Sequence, residues 1–599
     1  MLLEPVDWIS IIAFFVISLV VGVLVARRAG KSAAEFFLSG RNMPWWLLGV
    51  SMVATTFSTD TPNLVTDLVR QNGVAGNWVW WAFLLTGMLT VFVYAKLWRR
   101  SGVMTDIEFY ELRYSGKTAA FLRGFRALYL GVFFNIVVMA LVTLAAIKIG
   151  RVMLGLSPLQ TVLIAAVVTV FYSALGGLRG VLITDFLQFI IAMFGAIMAA
   201  KISLQHEAVG GLKNLLSCPQ VIEKLNFVPD FNNTNLLVSV FIIPLAVQWW
   251  SVWYPGAEPG GGGYLVQRML AAKNEKHAIG ATLFFNIAHY ALRPWPWIIV
   301  ALCSIVVFPN LESLSAAFPD VESGILRDDL AYPAMLTFLP HGLLGLVVAS
   351  LIAAYMSTIS THLNWGSSYI VNDFYNRFVN TQATEKQLVL VGRISTVLLM
   401  VAACALAPWL ESAKRAFELV LQIGAGTGLL FILRWFWWRI NAFSEITAMV
   451  VSFIVACYFE FVHNNIGLAP LESWQKLVIG VAVTTASWVV VTFLTKPADD
   501  RTLFNFCRLV KTGGPGWKVI IDRAKEAGES IEGAEEKWDL PYGIMCMVFG
   551  CMAVYAALFA TGSWIYLQYT KAAILTVICL LSTLLLLKFW SKMRVKDYS

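Results

Sequence analysis

The stretch Ala54-Thr55-Thr56-Phe57-Ser58-Thr59-Asp60-Thr61-Pro62-Asn63 decides how the chain is read. It sits at the centre of an otherwise apolar run, 44–69, yet seven of its ten residues are polar. Pro62 has no backbone donor and disfavours helical geometry at Thr61, so carbonyls near Ala54 to Ser58 are expected to lose helical partners and face a cavity. Irregular backbone at membrane depth persists only where protein or water satisfies it. A kinked helix whose hydroxyls bond back to their own carbonyls is the plainer reading, but it leaves the acid of Asp60 without an explanation.

The surroundings place this stretch in lipid. Of 599 residues, 58% are hydrophobic and 13% charged, with 23 Trp, 39 Phe and a mean hydropathy of +0.72; a soluble chain carries about 25% charged residues. Soluble enzymes, nucleic-acid binders and disulfide scaffolds are thereby excluded as descriptions of the whole chain. Apolar runs long enough to span a bilayer number fifteen: 7–26, 44–69, 76–98, 127–150, 159–174, 181–200, 236–254, 278–308, 341–372, 388–409, 416–433, 443–462, 474–495, 541–562 and 570–588. The first is not a cleaved signal, because Glu4 and Asp7 precede it and Arg27, Arg28 and Lys31 follow it. With the N-terminus outside, the connections assigned inside hold 30 Lys and Arg and those outside hold 9. This asymmetry accounts for the net charge of +8 and predicts fifteen spans with the C-terminus cytoplasmic. A plasma or bacterial inner membrane is expected. The longest inner connection, 496–540, contains Thr512-Gly513-Gly514-Pro515-Gly516 and a short amphipathic helix expected across 517–531, too little for a catalytic domain.

A second interruption, Tyr254-Pro255-Gly256-Ala257-Glu258-Pro259-Gly260-Gly261-Gly262-Gly263, follows the seventh run, five runs after the first. An odd separation inserts the two units upside down relative to each other, the arrangement that points to a secondary transporter with its site at the repeat interface. In the run 341–375, Ser357, Ser360 and Thr361 share one helical face. Clustered hydroxyls with carbonyls from an unwound helix suit a hard cation such as sodium; small-residue helix packing is the bland alternative. Two charges, Asp60 and Arg293, lie near mid-membrane, each costing ~2.5–3.5 kcal/mol on insertion scales. They either pair with each other or contact a solute, and the planar fork of Arg293 suits a carboxylate.

Four patches in order resemble the sodium/solute symporters, the family of the sodium/proline and sodium/galactose transporters. They are Phe36-Phe37-Leu38-Ser39-Gly40-Arg41 with Pro44-Trp45-Trp46; Tyr172-Ser173-Ala174-Leu175-Gly176-Gly177-Leu178 with Thr184-Asp185 and Gln188; Gln267-Arg268-Met269-Leu270-Ala271-Ala272-Lys273; and the run ending at Ser357-Thr358. The resemblance covers about Phe36 to Asn441. It implies an all-α polytopic membrane protein of about 15 transmembrane helices with a leucine-transporter-like core. Two inverted five-helix repeats, 44–202 and 236–441, are joined by an outer loop, 203–235. An extra helix and inner loop (1–43) precede the core, and accessory helices (442–495), the charged loop (496–540) and C-terminal helices with a basic tail (541–599) follow it. Sodium-coupled import of a small polar organic solute, a sugar or sugar acid, is implied, with Na+ as coupling ion, the bilayer as environment, and neither a nucleic acid nor an obligate protein partner.

Carried over by position, the common sodium site uses the carbonyls of Ala54, Phe57 and Ala354 with the hydroxyls of Ser357 and Thr358. A second sodium, bound in some members, would use Asp185, Ser357, Ser360 and Thr361; in the first turn of its helix, Asp185 would also favour the dipole without an ion. Solute-lining positions are Ser58, Asp60, Thr61, Asn135 and Gln422. The sequence departs from the sugar transporters at Trp80, where they have a glutamate, and near His289, Tyr290 and Arg293, where they have a lysine; no inner-gate aromatic stands within Pro255–Gly263. Trp78 is expected at the membrane interface, Trp80 is left open, and His289 reads as a packing residue. A sensor with a separate signalling partner, or a symporter for an amino acid or other anion, is the alternative. No nucleophile elbow or phosphate loop suggests an enzyme.

Overall fold

The computed structural model describes residues 3–29, 31–58, 60–252, 258–319, 321, 326–407, 410, 424, 426–531, 538–593 and 595. Among them the chain is helical, without strands; one isolated parallel bridge joins Met43 to Ala272. This is what lipid demands, since a helix satisfies its own backbone donors and acceptors. Among the described residues ten helices are long and apolar enough to cross a membrane, and each falls on one of the fifteen apolar runs. Three more runs fall on shorter apolar helices, Pro5–Val21, Trp45–Thr55 and Thr234–Ala246. Half of the run 416–433 lies outside the described residues.

The elements that position the site are α1 (Pro5–Ala29), α2 (Trp45–Thr55), α3 (Asp60–Asn72), α4 (Val74–Ser101), α5 (Gly116–Ile149), α6 (158–176), α7 (Gly177–Gln205), α8 (Thr234–Leu237, continuing to Ala246), α9 (Gly263–Ala271), α10 (Glu275–Val307), α11 (Leu343–Val379) and α12 (Glu385–Leu406). The run 44–69 is thus split into α2 and α3. Pro62, expected to cause the break, instead stands in the first turn of α3, where helix donors have no partner anyway. Gly177 turns α6 into α7 at φ 54°, and a Cβ there would meet the Phe36 carbonyl at 2.7 Å. Only glycine suits both demands.

The second interruption is likewise non-helical over its described part, residues 258–262; 253–257 lie outside the described residues. Gly260 and Gly261 take φ of 86° and 92° there, and the Gly260 carbonyl accepts the Trp98 indole N–H at 2.8 Å. Backbone bonds between Met43 and both Ala271 and Lys273 tie the start of α2 to the end of α9. α1 packs on α11, α2 on α10, α3 on the second half of α10, and α5 and α11 on α12.

After α12 come α13 (Gly428–Leu433), α14 (Ala442–Val462), α15 (Ser473–Leu494), α16 (Asp500–Val510), α17 (Lys518–Glu526), α18 (Leu540–Ile565) and α19 (Tyr569–Trp590). The charged connection holds two short helices where the sequence suggested one. α16 was missed because its apolar face, Leu503, Phe504, Phe506, Cys507 and Val510, is brief and set among charges. Arg113 packs there beside the rings of Phe506 and Trp517 and donates to the carbonyls of Arg434, Trp437 and Trp438, closing the end of α13. All eight cysteines are free.

Candidate functional site

Between α2 and α3 the residues Thr56, Phe57 and Ser58 leave the helix. The Phe57 amide still reaches the Ala54 carbonyl at 3.0 Å, while the Thr61 hydroxyl donates to Thr56 O at 3.3 Å. The hydroxyl of Thr358 on α11 lies 2.8 Å from the Thr55 carbonyl and 3.2 Å from its own Ala354 carbonyl. One short side chain therefore joins the broken helix to α11. Ala54, Phe57, Ala354, Ser357 and Thr358 are all buried. Ser357 is turned the other way, donating to Asp185 Oδ1 at 2.7 Å.

Asp185 lies well inside α7, which begins at Gly177, so a first-turn dipole does not account for it. Its second oxygen accepts from the Ser51 hydroxyl of α2. Arg268 of α9 occupies the centre of this cluster. Its Nη2 donates to Thr361 Oγ1 at 2.7 Å and lies 3.8 Å from Asp185 Oδ2, Nε donates to Ser51 Oγ at 3.2 Å, and Nη1 donates to Gln267 Oε1 at 3.0 Å. Thr55 and Thr361 hydroxyls are 3.0 Å apart, and Ser360 bonds back to the Ser357 carbonyl at 3.1 Å. Sequence reasoning noticed Arg268 only within a motif; a charge five residues beyond four glycines was the signal that it belonged to the broken region.

A cavity of about 460 Å³ runs from the helix break to the connection after α10, where Arg327, Asp328 and Asp329 line it. Ser58, Asp60, Thr61, Trp80, His289, Tyr290 and Arg293 all face it. Arg293 does not pair with Asp60. Its Nη1 donates to Thr56 Oγ1 at 2.9 Å and to the Val53 carbonyl at 3.2 Å, and its guanidinium stacks 5.0 Å from the centre of the Trp297 ring. Nε and Nη2 of Arg293, Oδ1 of Asp60 and Oδ1 of Asn63 are buried without a protein partner. Local sequence explains the aim of Arg293. Pro294 cannot donate, α10 widens into a π turn over Ala288–Leu292, and the Arg293 amide reaches back to Ala288 at 3.1 Å. That turn presents His289, Tyr290 and Arg293 together. Trp80 stacks on Tyr290 at 5.8 Å and meets His289 edge-on, while His289 Nδ1 contacts the Thr56 hydroxyl at 3.1 Å.

One expected solute position falls elsewhere, and another is not among the described residues. Asn135 does not line the cavity: fully buried in α5, it donates to the His362 carbonyl at 2.9 Å and contacts His362 Nδ1 at 2.5 Å, so both ends of its amide are committed to α11. Gln422 lies outside the described residues. Trp78 is no interfacial anchor; it is buried, donates to Phe227 O at 2.8 Å and packs against Phe241 and Tyr555. At the mouth, Arg70 pairs with Asp328 and Lys148 with Asp329, contacts that sequence spacing did not suggest.

A broken helix flanking a largely apolar cavity set with a few charged and hydroxyl side chains, within a lipid-suited bundle, defines a polytopic membrane transport protein. A sequence profile described as "Sodium:solute symporter family" matches residues 36–452, and the chain belongs to that family. It is 25% identical over 474 residues to a "Sodium/glucose cotransporter" of Vibrio parahaemolyticus, covering 76% of this chain and 85% of that one. It is also 26% identical over 504 residues to "Sodium/myo-inositol cotransporter 2" of Mus musculus, covering 77% and 71%. A solved Na+-coupled sialic acid symporter, in a substrate-bound outward-open state, shares the fold with a TM-score of 0.66 at 21% identity, covering 83% of this chain and 99% of its own. The chain is a multi-pass membrane symporter, and sodium is its coupling ion.

Proposed function

We propose that this symporter imports a small polar solute, a sugar or sugar acid, by alternating access between two inverted five-helix repeats. On this reading there are fifteen spans, the N-terminus lies outside and the C-terminus in the cytoplasm, and the membrane is a plasma or bacterial inner membrane. The observation that carries it is the Thr358 hydroxyl reaching the carbonyl of Thr55, a residue that lines the cavity. Sodium held by the carbonyls of Ala54, Phe57 and Ala354 with the hydroxyls of Ser357 and Thr358 would fasten α2 to α11. Its departure would free them to separate, which gives the differential affinity that coupling requires. Ser58, Asp60, Thr61, Trp80, His289, Tyr290 and Arg293 contact the solute. Its polar atoms would satisfy the open Nε and Nη2 of Arg293 and the Asp60 oxygen.

The test is uptake into proteoliposomes of labelled galactose, a hexuronate, sialic acid and proline under an inward sodium gradient against an equal potassium gradient. Sodium-dependent accumulation of a sugar or hexuronate is expected. A second reading, an amino acid with its ammonium at Asp60 and its carboxylate at Arg293, is favoured by the separation of those two charges; accumulation of proline alone would establish it.

A further inference from the structure

We propose that the guanidinium of Arg268 is the resident cation of the pocket formed by Asp185, Ser357, Ser360 and Thr361, so that this chain carries one sodium per cycle. The count of one rests on the sodium site proposed above. A hard cation at a buried carboxylate needs oxygens around it and negative charge that nothing else balances. Here a cation is already in place: Thr361 accepts from Arg268, whose Nη2 also lies 3.8 Å from Asp185 Oδ2, while the Ser357 and Ser360 hydroxyls, as donors, keep lone pairs but bring no charge. Asp185 and Arg268 are both 0% exposed, and together they are electrically neutral. A sodium ion added among them would leave an unbalanced, desolvated positive charge beside a guanidinium that does not deprotonate.

Arg268 is also held from behind. Gln267, which accepts its Nη1, is itself fixed by donation to the Phe37 carbonyl at 3.1 Å and to Asn364 Oδ1 at 2.9 Å. The tethered cation joins α9 to α2 through Ser51 and to α11 through Thr361, and its charge faces Asp185 of α7. It thus performs structurally what a second sodium would perform by binding.

Equilibrium binding of radioactive sodium to purified full-length protein in detergent, with no solute required, counts the sites. Wild type is expected to bind one sodium per chain at saturation, with a Hill coefficient of 1. R268K keeps that count, R268Q raises it to two, and R268Q/D185N returns it to one. Two sodium ions on wild type overturn the proposal whether or not the variants fold. So does an R268Q protein that elutes as a single monodisperse peak and still binds one. Zero on wild type overturns the first sodium site instead; a gain of one in R268Q then still supports the role of Arg268, and no gain overturns it.

Discussion

At the residue scale the site is a matter of which polar atoms are used and which are open. Thr358 spends its hydroxyl between two carbonyls of different helices. T358A should raise the sodium concentration for half-maximal uptake by roughly five- to a hundredfold, the equivalent of about 1–3 kcal/mol for one lost buried oxygen contact. T358S should restore it. Arg293 keeps two donors open, so R293Q should lower uptake of a carboxylate-bearing solute by about ten- to a hundredfold, the worth of a charge-assisted hydrogen bond, while a neutral sugar changes less than about threefold. Equal losses for both would show that Arg293 only braces Thr56. The Thr-Ser-Asp stretch and Arg293 were legible because polar residues in lipid are costly and need a purpose. The commitment of Asn135 to His362 was not, because the two are 227 positions apart.

At the element scale, the ends of helices carry the function. Asp7 on α1 accepts from the amides of Gly342 at 2.6 Å and Gly345 at 2.7 Å, capping α11 with a negative charge at its N-terminus. D7A should cost about 1 kcal/mol and lower the thermal midpoint of the purified protein. His341 contacts the same carboxylate at 2.9 Å, and that hydrogen bond chiefly holds its pKa above 6.5. A raised histidine value contributes stability that is fully present below about pH 6.5 and disappears as pH rises through the folded value. The wild-type midpoint should therefore fall between pH 6 and pH 9 by more than that of H341A, as scanning fluorimetry would measure. The π turn ahead of Pro294 follows the same logic: a missing donor in sequence becomes an aimed arginine in structure.

At the scale of the molecule, the cavity among the described residues extends toward one end of the bundle, that of the 309–340 connection. The other end holds a buried cluster in which Glu258 binds Arg126 and Arg434, the latter at 3.0 Å, Arg434 reaches Glu445 at 3.3 Å, and Tyr114 donates to Glu445 at 2.6 Å. Removing one partner of a buried pair costs about 3–5 kcal/mol, enough to shift a two-state equilibrium. In E258Q, a cysteine placed at Thr61 should react at least threefold more slowly with an impermeant thiol reagent applied from the side of the 309–340 connection. An unchanged rate would mean that the cluster serves stability rather than access.

The sequence by itself determined that the chain lies in lipid, roughly where its helices run, that one of them is broken at Thr55–Asp60, and which family it joins. These follow from local properties: hydropathy, hydrogen-bonding capacity, proline and glycine geometry, and motifs read in order. Only the tertiary structure decided what each polar group faces. It turned Asn135 and Trp78 away from the roles expected of them, left Arg293 and Asp60 unpaired on one cavity, and set Arg268 among the oxygens of Asp185 and Thr361. Those outcomes depend on helices distant in sequence meeting at fixed rotation, and rotation is set by packing and buried hydrogen bonds, which no single segment encodes.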